Sequence, residues 1–336
     1  MPALAVADAL RASGVEVHFV GGERAERTLV PDAGYPLERL DVSGLDRKNP
    51  LRAARAAVKA VVAVGAALRI LRRLRPDAVM GGGGYVAGPV GLAAVLLRIP
   101  LVLTEADSHL GLTNRLLAPL ARRVCLAFPL EGRSGRRYRL TGRPIPAVAG
   151  DRVSAREELG IGSQETVVLV FGGSLGARSI NLAAAEAFRD APFRVMHASG
   201  TRDYEELREL VAGAANYDLR PYISPFGPAL AASDLVVARA GGSIFEVAAH
   251  GRPALLVPYP HATADHQTAN ARWMADGGAA VIVADAELTG ERLAHEVAVL
   301  LHDRSRLAAM ANASASLARP RAAQDVAEEL LAAAAS

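Results

Sequence analysis

Three times along this chain a short apolar run ends in clustered glycines and gives way to a helix-forming stretch. The runs are Ala78–Met80 before Gly81–Gly84, Thr166–Phe171 before Gly172-Gly173, and Leu235–Ala238 before Gly241-Gly242. Apolar runs without polar alternation suit strands buried on both faces, and alternation of such strands with helices is the pattern of parallel α/β sheets. Further strands are expected at Val15–Val20, Leu101–Thr104, Val124–Ala127, Phe193–His197, Ala254–Val257 and Ala279–Val283. The fold class is therefore α/β with doubly wound sheets.

A length of 336 residues points to two such domains. The rhythm breaks at Thr141-Gly142-Arg143-Pro144-Ile145-Pro146, where two prolines fit neither helix nor central strand. Residues 1–145 are read as the first domain and 146–320 as the second. A last helix, Ala322–Ala335 within 321–336, is expected to pack back on the first. Charge divides with the domains: residues 1–150 hold 22 Lys and Arg against 12 Asp and Glu, and residues 151–336 hold 16 against 23. A basic half and an acidic half suggest different partners.

Several classes are excluded. Cys125 is the single cysteine, so there is no intramolecular disulfide framework or multi-cysteine metal site. Lys59, Arg98 and Pro100 interrupt the best apolar runs before they reach the roughly 18 residues of a membrane span. Met1-Pro2-Ala3-Leu4 lacks the charged start of a signal peptide, so a cytoplasmic location is expected. The arginines carry no nucleic-acid motif and no interleaved aromatics, so no nucleic-acid partner is expected.

The glycine turns carry the candidate chemistry. Gly81-Gly82-Gly83-Gly84-Tyr85 precedes a helix read as starting near Gly88-Pro89; it is either a tight turn or a backbone cradle for an anion. In Gly172-Gly173-Ser174-Leu175-Gly176, Ser174 adds a hydroxyl donor beside the amides. Neither turn is a Walker A or GxGxxG motif, which argues against kinases and dehydrogenases. Gly241-Gly242-Ser243 sets Glu246 on the first turns of a helix, as a dipole-favoured charge or as an acceptor for a ribose diol. Gln267 and Asn270 share a helix face, with amides suited to sugar hydroxyls. His261, Asp265 and His266 lie close in sequence but lack zinc-site spacing.

Taken in order, Gly81–Pro89, Glu105-Ala106-Asp107, Gly111-Leu112-Thr113-Asn114, Thr141–Pro144, Gly172–Ala177 with Asn181, and Arg239–Glu246 with His261–Asn270 resemble the bacterial MurG glycosyltransferase family over almost the whole chain. The resemblance implies a GT-B fold of two Rossmann-like domains facing a cleft, the second holding the donor UDP-GlcNAc. It implies inverting transfer of N-acetylglucosamine to lipid I, the undecaprenyl-diphospho-muramyl-pentapeptide, with no metal cofactor required. By position, Ser174 would meet the diphosphate, with Gly173, Gly176 and Asn181 as further substrate-binding candidates. Glu246 would meet the ribose, Tyr222 and Ile223 the uracil, and Gln267 and Asn270 the sugar, with Gly241, Gly242 and Ser243 as further substrate-binding candidates. Asp107 and Asn114 would lie across the cleft, near the sugar or acceptor, and Gly83, Gly84 and Tyr85 are further substrate-binding candidates. Asp107 and His109 are the base candidates within this chain.

Three departures from the family pattern stand out. The family's linker arginine aligns with Pro146, leaving Arg143 to substitute, and the turn before Glu246 is one residue shorter. Met1–Ala7 matches the family after its first strand and its Gly-Gly-Thr-x-Gly-His loop, so an upstream in-frame segment is expected to encode them. The family also implies peripheral attachment at the cytoplasmic face of the membrane and association with other cell-wall synthesis proteins. The helix Leu51–Arg75 fits an anionic surface, with Arg52, Arg55, Lys59, Arg69 and Arg73 in one sector and Val61, Val64, Leu68 and Leu71 in another. Two other readings stay open, a different UDP-sugar GT-B transferase and a donor-binding protein without activity.

Overall fold

The computed structural model describes residues 2–23, 25–41, 50–148, 150–173, 176–262 and 265–335, with backbone alone at 50–58 and 60. The chain divides into two units, Met1–Pro146 with Pro320–Ser336, and Ala147–Arg319.

The first unit runs α1 (Pro2–Ala12), β1 (Phe19–Gly21), α2 (Glu26–Asp32), β2 (Leu37–Arg39), α3 (Pro50–Leu74), β3 (Val79–Gly81), α4 (Gly84–Leu96), β4 (Leu101–Glu105), α5 (Leu112–Leu117), β5 (Arg123–Leu126) and β6 (Tyr138–Leu140). β1 and β2 pair in parallel, and β3-β4-β5-β6 form a separate parallel sheet. The two sheets share their apolar layers. Val20 packs in one cluster with Val79 and Leu103, while Val15 and Val17 join Ala78, Met80 and Val102 in another.

The second unit runs α6 (Arg152–Glu158), β7 (Val167–Phe171), α7 (Arg178–Phe188), β8 (Arg194–Ala198), α8 (Tyr204–Leu210), β9 (Tyr217–Arg220), α9 (Phe226–Ala232), β10 (Leu235–Ala238), α10 (Ile244–Ala249), β11 (Ala254–Leu256), α11 (His266–Asp276), β12 (Ala280–Ile282), α12 (Gly290–His302) and α13 (Arg304–Leu317). Its six strands are all parallel in the order β12-β11-β10-β7-β8-β9. Every residue of β7 and β10 is buried, which is why both read as unbroken apolar runs. Their side chains pack with Ile180 and Ala184 of α7 and with Leu293 and Val297 of α12. A fully buried Val or Leu contributes about 1.5–3 kcal/mol, so the sheet is the rigid frame and the loops at its ends are left for polar work.

Strand order reverses between β7 and β10, since β7 leads outward to β8 on one side while β10 and β11 lie on the other. In open α/β sheets such a switch point leaves a crevice at the carboxyl ends of the strands, where ligands bind. The turns after β7 and β10 flank it. After α13 the chain returns to the first unit as α14 (Ala322–Ala334), whose Val326, Ala327 and Leu330 pack with Val6 and Leu10 of α1 and with Cys125.

Four readings of the sequence need correction. The strand expected at Val15–Val20 is only Phe19–Gly21, and β2, β6 and β9 were not foreseen. α4 starts at Gly84 rather than near Gly88, so Tyr85 sits on its first turn and Pro89 is accommodated inside it. On α3 the buried stripe is Ala63, Ala67 and Leu71, while Val61 is 73% exposed and does not belong to the packed sector. Lys59 and Arg73 of the basic sector approach Asp41 and Glu38 at 3.7 and 2.6 Å, whereas the side chains of Arg52 and Arg55 fall outside the described residues.

Candidate active site

In the second unit the turn after β7 has Gly173 at φ +94° and Gly176 at φ +75°, closed by the Gly176 amide donating to the Gly173 carbonyl at 3.0 Å. A Cβ on Gly172 would stand 2.3 Å from the Ala177 nitrogen, and one on Gly176 would stand 2.1 Å from the Ser199 carbonyl oxygen. Only glycine fits either place. The turn feeds α7, an 11-residue helix with no capping side chain and no acidic residue in its first turn. Its leading amides face outward at the positive end of the helix, an arrangement suited to an anion. Ser174 lies outside the described residues.

Asn181 sits one turn into α7 and is wholly buried. Its amide nitrogen donates to the Ser199 carbonyl and to Asp203, both at 2.9 Å, and its oxygen lies 3.1 Å from Nε2 of His197. Nδ1 of His197 lies 2.8 Å from the Tyr217 hydroxyl. Burial pushes the imidazole pKa down to about 3 and the Tyr217 hydroxyl up. Asp203 also takes Arg202 at 2.9 Å and Arg178 at 3.4 Å, and these guanidinium bonds hold its carboxyl below its ordinary value. The sequence reading made Asn181 a substrate-binding candidate; its described polar contacts are made within the fold.

Across the switch point, the turn after β10 places Gly241, Gly242 and Ser243 ahead of α10, with Ser243 at its N-cap and Glu246 half-buried in its first turn. Arg239 locks this turn to its neighbours. Its Nη1 donates to the Val257 and Pro258 carbonyls at 3.0 and 3.2 Å and meets Asp285 at 2.6 Å, while Nη2 donates to the Ser179 hydroxyl at 2.8 Å. Ser179 in turn donates to Asp285. One guanidinium thus ties the ends of β10 and β11 to α7, a role the sequence reading did not assign. The signal was available as an arginine closing a fully apolar strand.

Asn270 is buried, and its Nδ2 donates to the Ala240 carbonyl at 2.9 Å, so it supports the glycine turn from beneath rather than lying open to a sugar. Gln267, one turn earlier on α11 and half-buried, accepts the Tyr259 amide at 3.0 Å through Oε1. Its NH₂ group is the part suited to a ligand hydroxyl. Tyr222 is 52% exposed and Ile223 half-buried in the loop after β9.

In the first unit the turn after β3 meets the loop after β4. The Thr113 hydroxyl donates to the Gly84 carbonyl at 3.0 Å, and a Cβ on Gly83, which has φ +77°, would lie 3.8 Å from the Asn114 amide nitrogen. Asn114 is buried, with Nδ2 donating to the Thr104 carbonyl and to Glu105, each at 2.9 Å. Glu105 is a second residue that the sequence reading left without a role. Its buried carboxylate also accepts the backbone amides of Asp107 and Gly111 at 3.2 and 2.9 Å, pinning the loop that carries half-buried Asp107 and His109. Tyr85 is exposed, and Arg143 is half-buried just before the boundary of the unit. Among the described residues no group of three or more His, Cys, Asp or Glu side chains is arranged to hold a metal ion.

Parallel Rossmann-like units, with glycine turns at strand ends and a carboxylate on the helix beyond one of them, fit a GT-B glycosyltransferase. Comparison with known proteins agrees. The Glycosyltransferase family 28 N-terminal domain matches residues 1–126 and the Glycosyltransferase family 28 C-terminal domain matches residues 167–326. Relatives from Moorella thermoacetica and Rubrobacter xylanophilus are each 43% identical over 98% of this chain, covering 94% and 98% of their own lengths. Both are named UDP-N-acetylglucosamine–N-acetylmuramyl-(pentapeptide) pyrophosphoryl-undecaprenol N-acetylglucosamine transferase. The crystal structure of Acinetobacter baumannii MurG superposes with a TM-score of 0.80 at 33% identity, over 98% of this chain and 95% of that one. A UDP-GlcNAc 2-epimerase from Neisseria meningitidis, 15% identical with a TM-score of 0.66, shares the fold. The chain belongs to the MurG family of glycosyltransferases.

Proposed function

We propose that this chain transfers N-acetylglucosamine from UDP-GlcNAc to the muramyl C4 hydroxyl of lipid I, forming lipid II with inversion at the anomeric carbon. The observation that carries the reading is 43% identity, over 98% of the chain, to relatives bearing that activity as their name. The switch-point geometry of the second unit supplies its chemistry.

The donor diphosphate sits on Gly173, Gly176 and the leading amides of α7. Glu246 accepts the ribose hydroxyls, the exposed ring of Tyr222 covers uracil beside Ile223, and the Gln267 amide meets the sugar. Transfer is a single displacement. The C4 oxygen bonds to the anomeric carbon, the bond from that carbon to the diphosphate oxygen breaks, and UDP leaves with the electron pair. A base takes the hydroxyl proton, and Asp107 and His109 on the loop pinned by Glu105 are the candidates. Charge growing on UDP is met by preorganised amides and the α7 dipole, so a divalent metal is not needed to balance it.

The acceptor is a lipid, and a face of the first unit suits a membrane. Leu92 and Leu96 on α4, Leu112 and Leu116 on α5, and Leu120 are all exposed, with Leu116 at 67%, and the exposed Arg98, Arg115 and Arg122 lie among them in sequence. α4 packs on α5, so the two helices that carry Leu92, Leu96, Leu112 and Leu116 are neighbours. Apolar side chains rimmed by arginines attach reversibly to anionic bilayers. No helix among the described residues is long and apolar enough to cross a membrane. The side proposed is the cytoplasmic one, as the family resemblance implies.

The test is direct. Purified chain, UDP-GlcNAc and a lipid I analogue should release UDP in step with a β-linked disaccharide product. UDP-GlcNAc binding without transfer to that acceptor, or faster transfer to an unrelated acceptor, overturns the reading.

A further inference from the structure

The contacts around His197 form a chain whose polarity can be worked out. Asn181 faces two acceptors, the Ser199 carbonyl and the Asp203 carboxylate, each at 2.9 Å. Its NH₂ group must point at them, because the reverse orientation would set three oxygens against one another. Its oxygen therefore faces Nε2 of His197, and that nitrogen must carry the proton. Nδ1 is then a bare lone pair, and the Tyr217 hydroxyl, 2.8 Å away, must donate to it. All three groups are buried, and no charged group among the described residues meets the ring. The order is Tyr217 to His197 to Asn181 to the Ser199 carbonyl, every step with a fixed donor.

The far end of this chain touches the ligand turn. The Ser199 carbonyl oxygen occupies the place a Gly176 side chain would take, so the last bend of the turn rests on it. Asp203, the second target of Asn181, also takes Arg178, the first residue of α7, at 3.4 Å.

We propose that His197 and Tyr217 are positioning residues for the donor diphosphate: by bonding the oxygen of an Asn181 amide already oriented by the Ser199 carbonyl and Asp203, they hold that amide in place, and with it the Ser199 carbonyl, Gly176 and the leading amides of α7. This deepens the reading that the turn 172–177 holds the diphosphate of UDP-GlcNAc, and it rests on that reading. Neither residue touches substrate. Their effect falls on binding of the nucleotide and not on proton transfer to the acceptor.

The experiment compares His197→Leu, His197→Gln and Tyr217→Phe in the full chain, with Gly176→Ala as the control for the turn. UDP binding is read by calorimetry, KM for UDP-GlcNAc and kcat by UDP release, and folding by thermal melting. Leucine removes both bonds at similar volume. Glutamine keeps an N–H for Asn181 and an oxygen for Tyr217. The expected result is a rise of about tenfold in UDP Kd and in donor KM for His197→Leu, the scale of one buried hydrogen bond, with kcat within about twofold. His197→Gln should recover most of the loss, and Tyr217→Phe should show a smaller rise of the same kind. Equal loss in the leucine and glutamine variants, or a fall in kcat alone, overturns the inference. If His197→Leu does not fold, Tyr217→Phe and His197→Gln carry the test, and UDP affinity unchanged in the first or abolished in the second overturns it. Should Gly176→Ala fold and bind UDP normally, the turn is not the diphosphate site and the parent reading fails. Should it lose UDP while the His197 and Tyr217 variants do not, only the present inference fails.

Discussion

Arg239 and Asp285 meet at 2.6 Å at the carboxyl edge of the second sheet, with Ser179 of α7 bonded to both. The arginine is 8% exposed and makes two further bonds to the exit of β11, so both terminal nitrogens of its planar fork are engaged. Lysine offers a point charge that cannot span these partners. Arg239→Lys should raise donor KM about tenfold and lower the melting temperature, and Asp285→Ala, which strands a buried guanidinium, should cost about 2–3 kcal/mol by denaturant unfolding. Unchanged melting in both variants would show that the clamp is not holding the turn.

Glu105 governs the other unit in a comparable way. Its carboxylate accepts from the Asp107 amide, the Gly111 amide and Asn114, three donors around one buried acceptor group. Glutamine has one acceptor oxygen and brings two donors of its own, so at least one bond becomes a clash. Glu105→Gln should lower kcat by at least about tenfold through disorder at Asp107 and His109, while UDP affinity, a property of the second unit, stays within about twofold. Calorimetry with UDP separates the two effects, and an equal loss in both would contradict this division of labour.

The strands that the sequence reading missed have one thing in common. β2, β6 and β9 each form an edge of their sheet, and each carries charge: Glu38-Arg39, Arg139, and Asp218 with Arg220. Edge strands are kept short and charged, which erases the apolar run that marks a central strand such as β7 or β10. The glycine turns after β3 and β7 were legible because the chain there needs positive φ or a missing side chain, a demand written in residue type. What Asn114, Asn181 and Asn270 do was not legible. An amide close in sequence to a glycine turn can face a ligand or the backbone of the turn itself, and only burial of 0–2% exposure decides that their nitrogens brace the fold.

The diphosphate chemistry proposed for the turn 172–177 depends on backbone amides and a helix terminus, which a chelator cannot remove. Turnover in excess EDTA should stay within about twofold of turnover with added magnesium, once the ionic strength is matched. A loss beyond tenfold, restored by the metal, would mean that a cation carries charge here that the amides do not.

His197 makes acid stability predictable. Its pKa is about 3 in the folded chain and near 6.5 when unfolded, so the unfolded state takes up the proton first as pH falls. The sign follows: the contribution is fully present above about pH 6.5 and is lost between pH 6.5 and 3 at about 1.4 kcal/mol per pH unit. His250, also pushed down by burial, adds to the same slope. His197→Gln, which does not titrate, should flatten the fall in melting temperature between pH 6.5 and 5; a slope identical to that of the parent would place the acid sensitivity elsewhere.

The exposed leucines of α4 and α5 can be tested apart from catalysis. A Leu or Val withdrawn from water is worth about 1.5–3 kcal/mol, so replacing Leu96 and Leu116 together with glutamate removes that gain and adds repulsion from anionic lipid. Neither side chain lies on the second unit, where UDP is expected to bind. Leu96→Glu with Leu116→Glu should therefore cut co-sedimentation with phosphatidylglycerol vesicles at least about tenfold and leave turnover on a short-chain, water-soluble acceptor within about twofold. Arginines at 98, 115 and 122 add a salt-dependent part, so binding of the parent chain should weaken between 0.05 and 0.5 M salt by an amount that the double variant no longer shows, because the Debye length shortens from roughly 14 to 4 Å. Vesicle binding that ignores both the leucines and the salt would remove this face from the proposal and return attention to the basic side of α3.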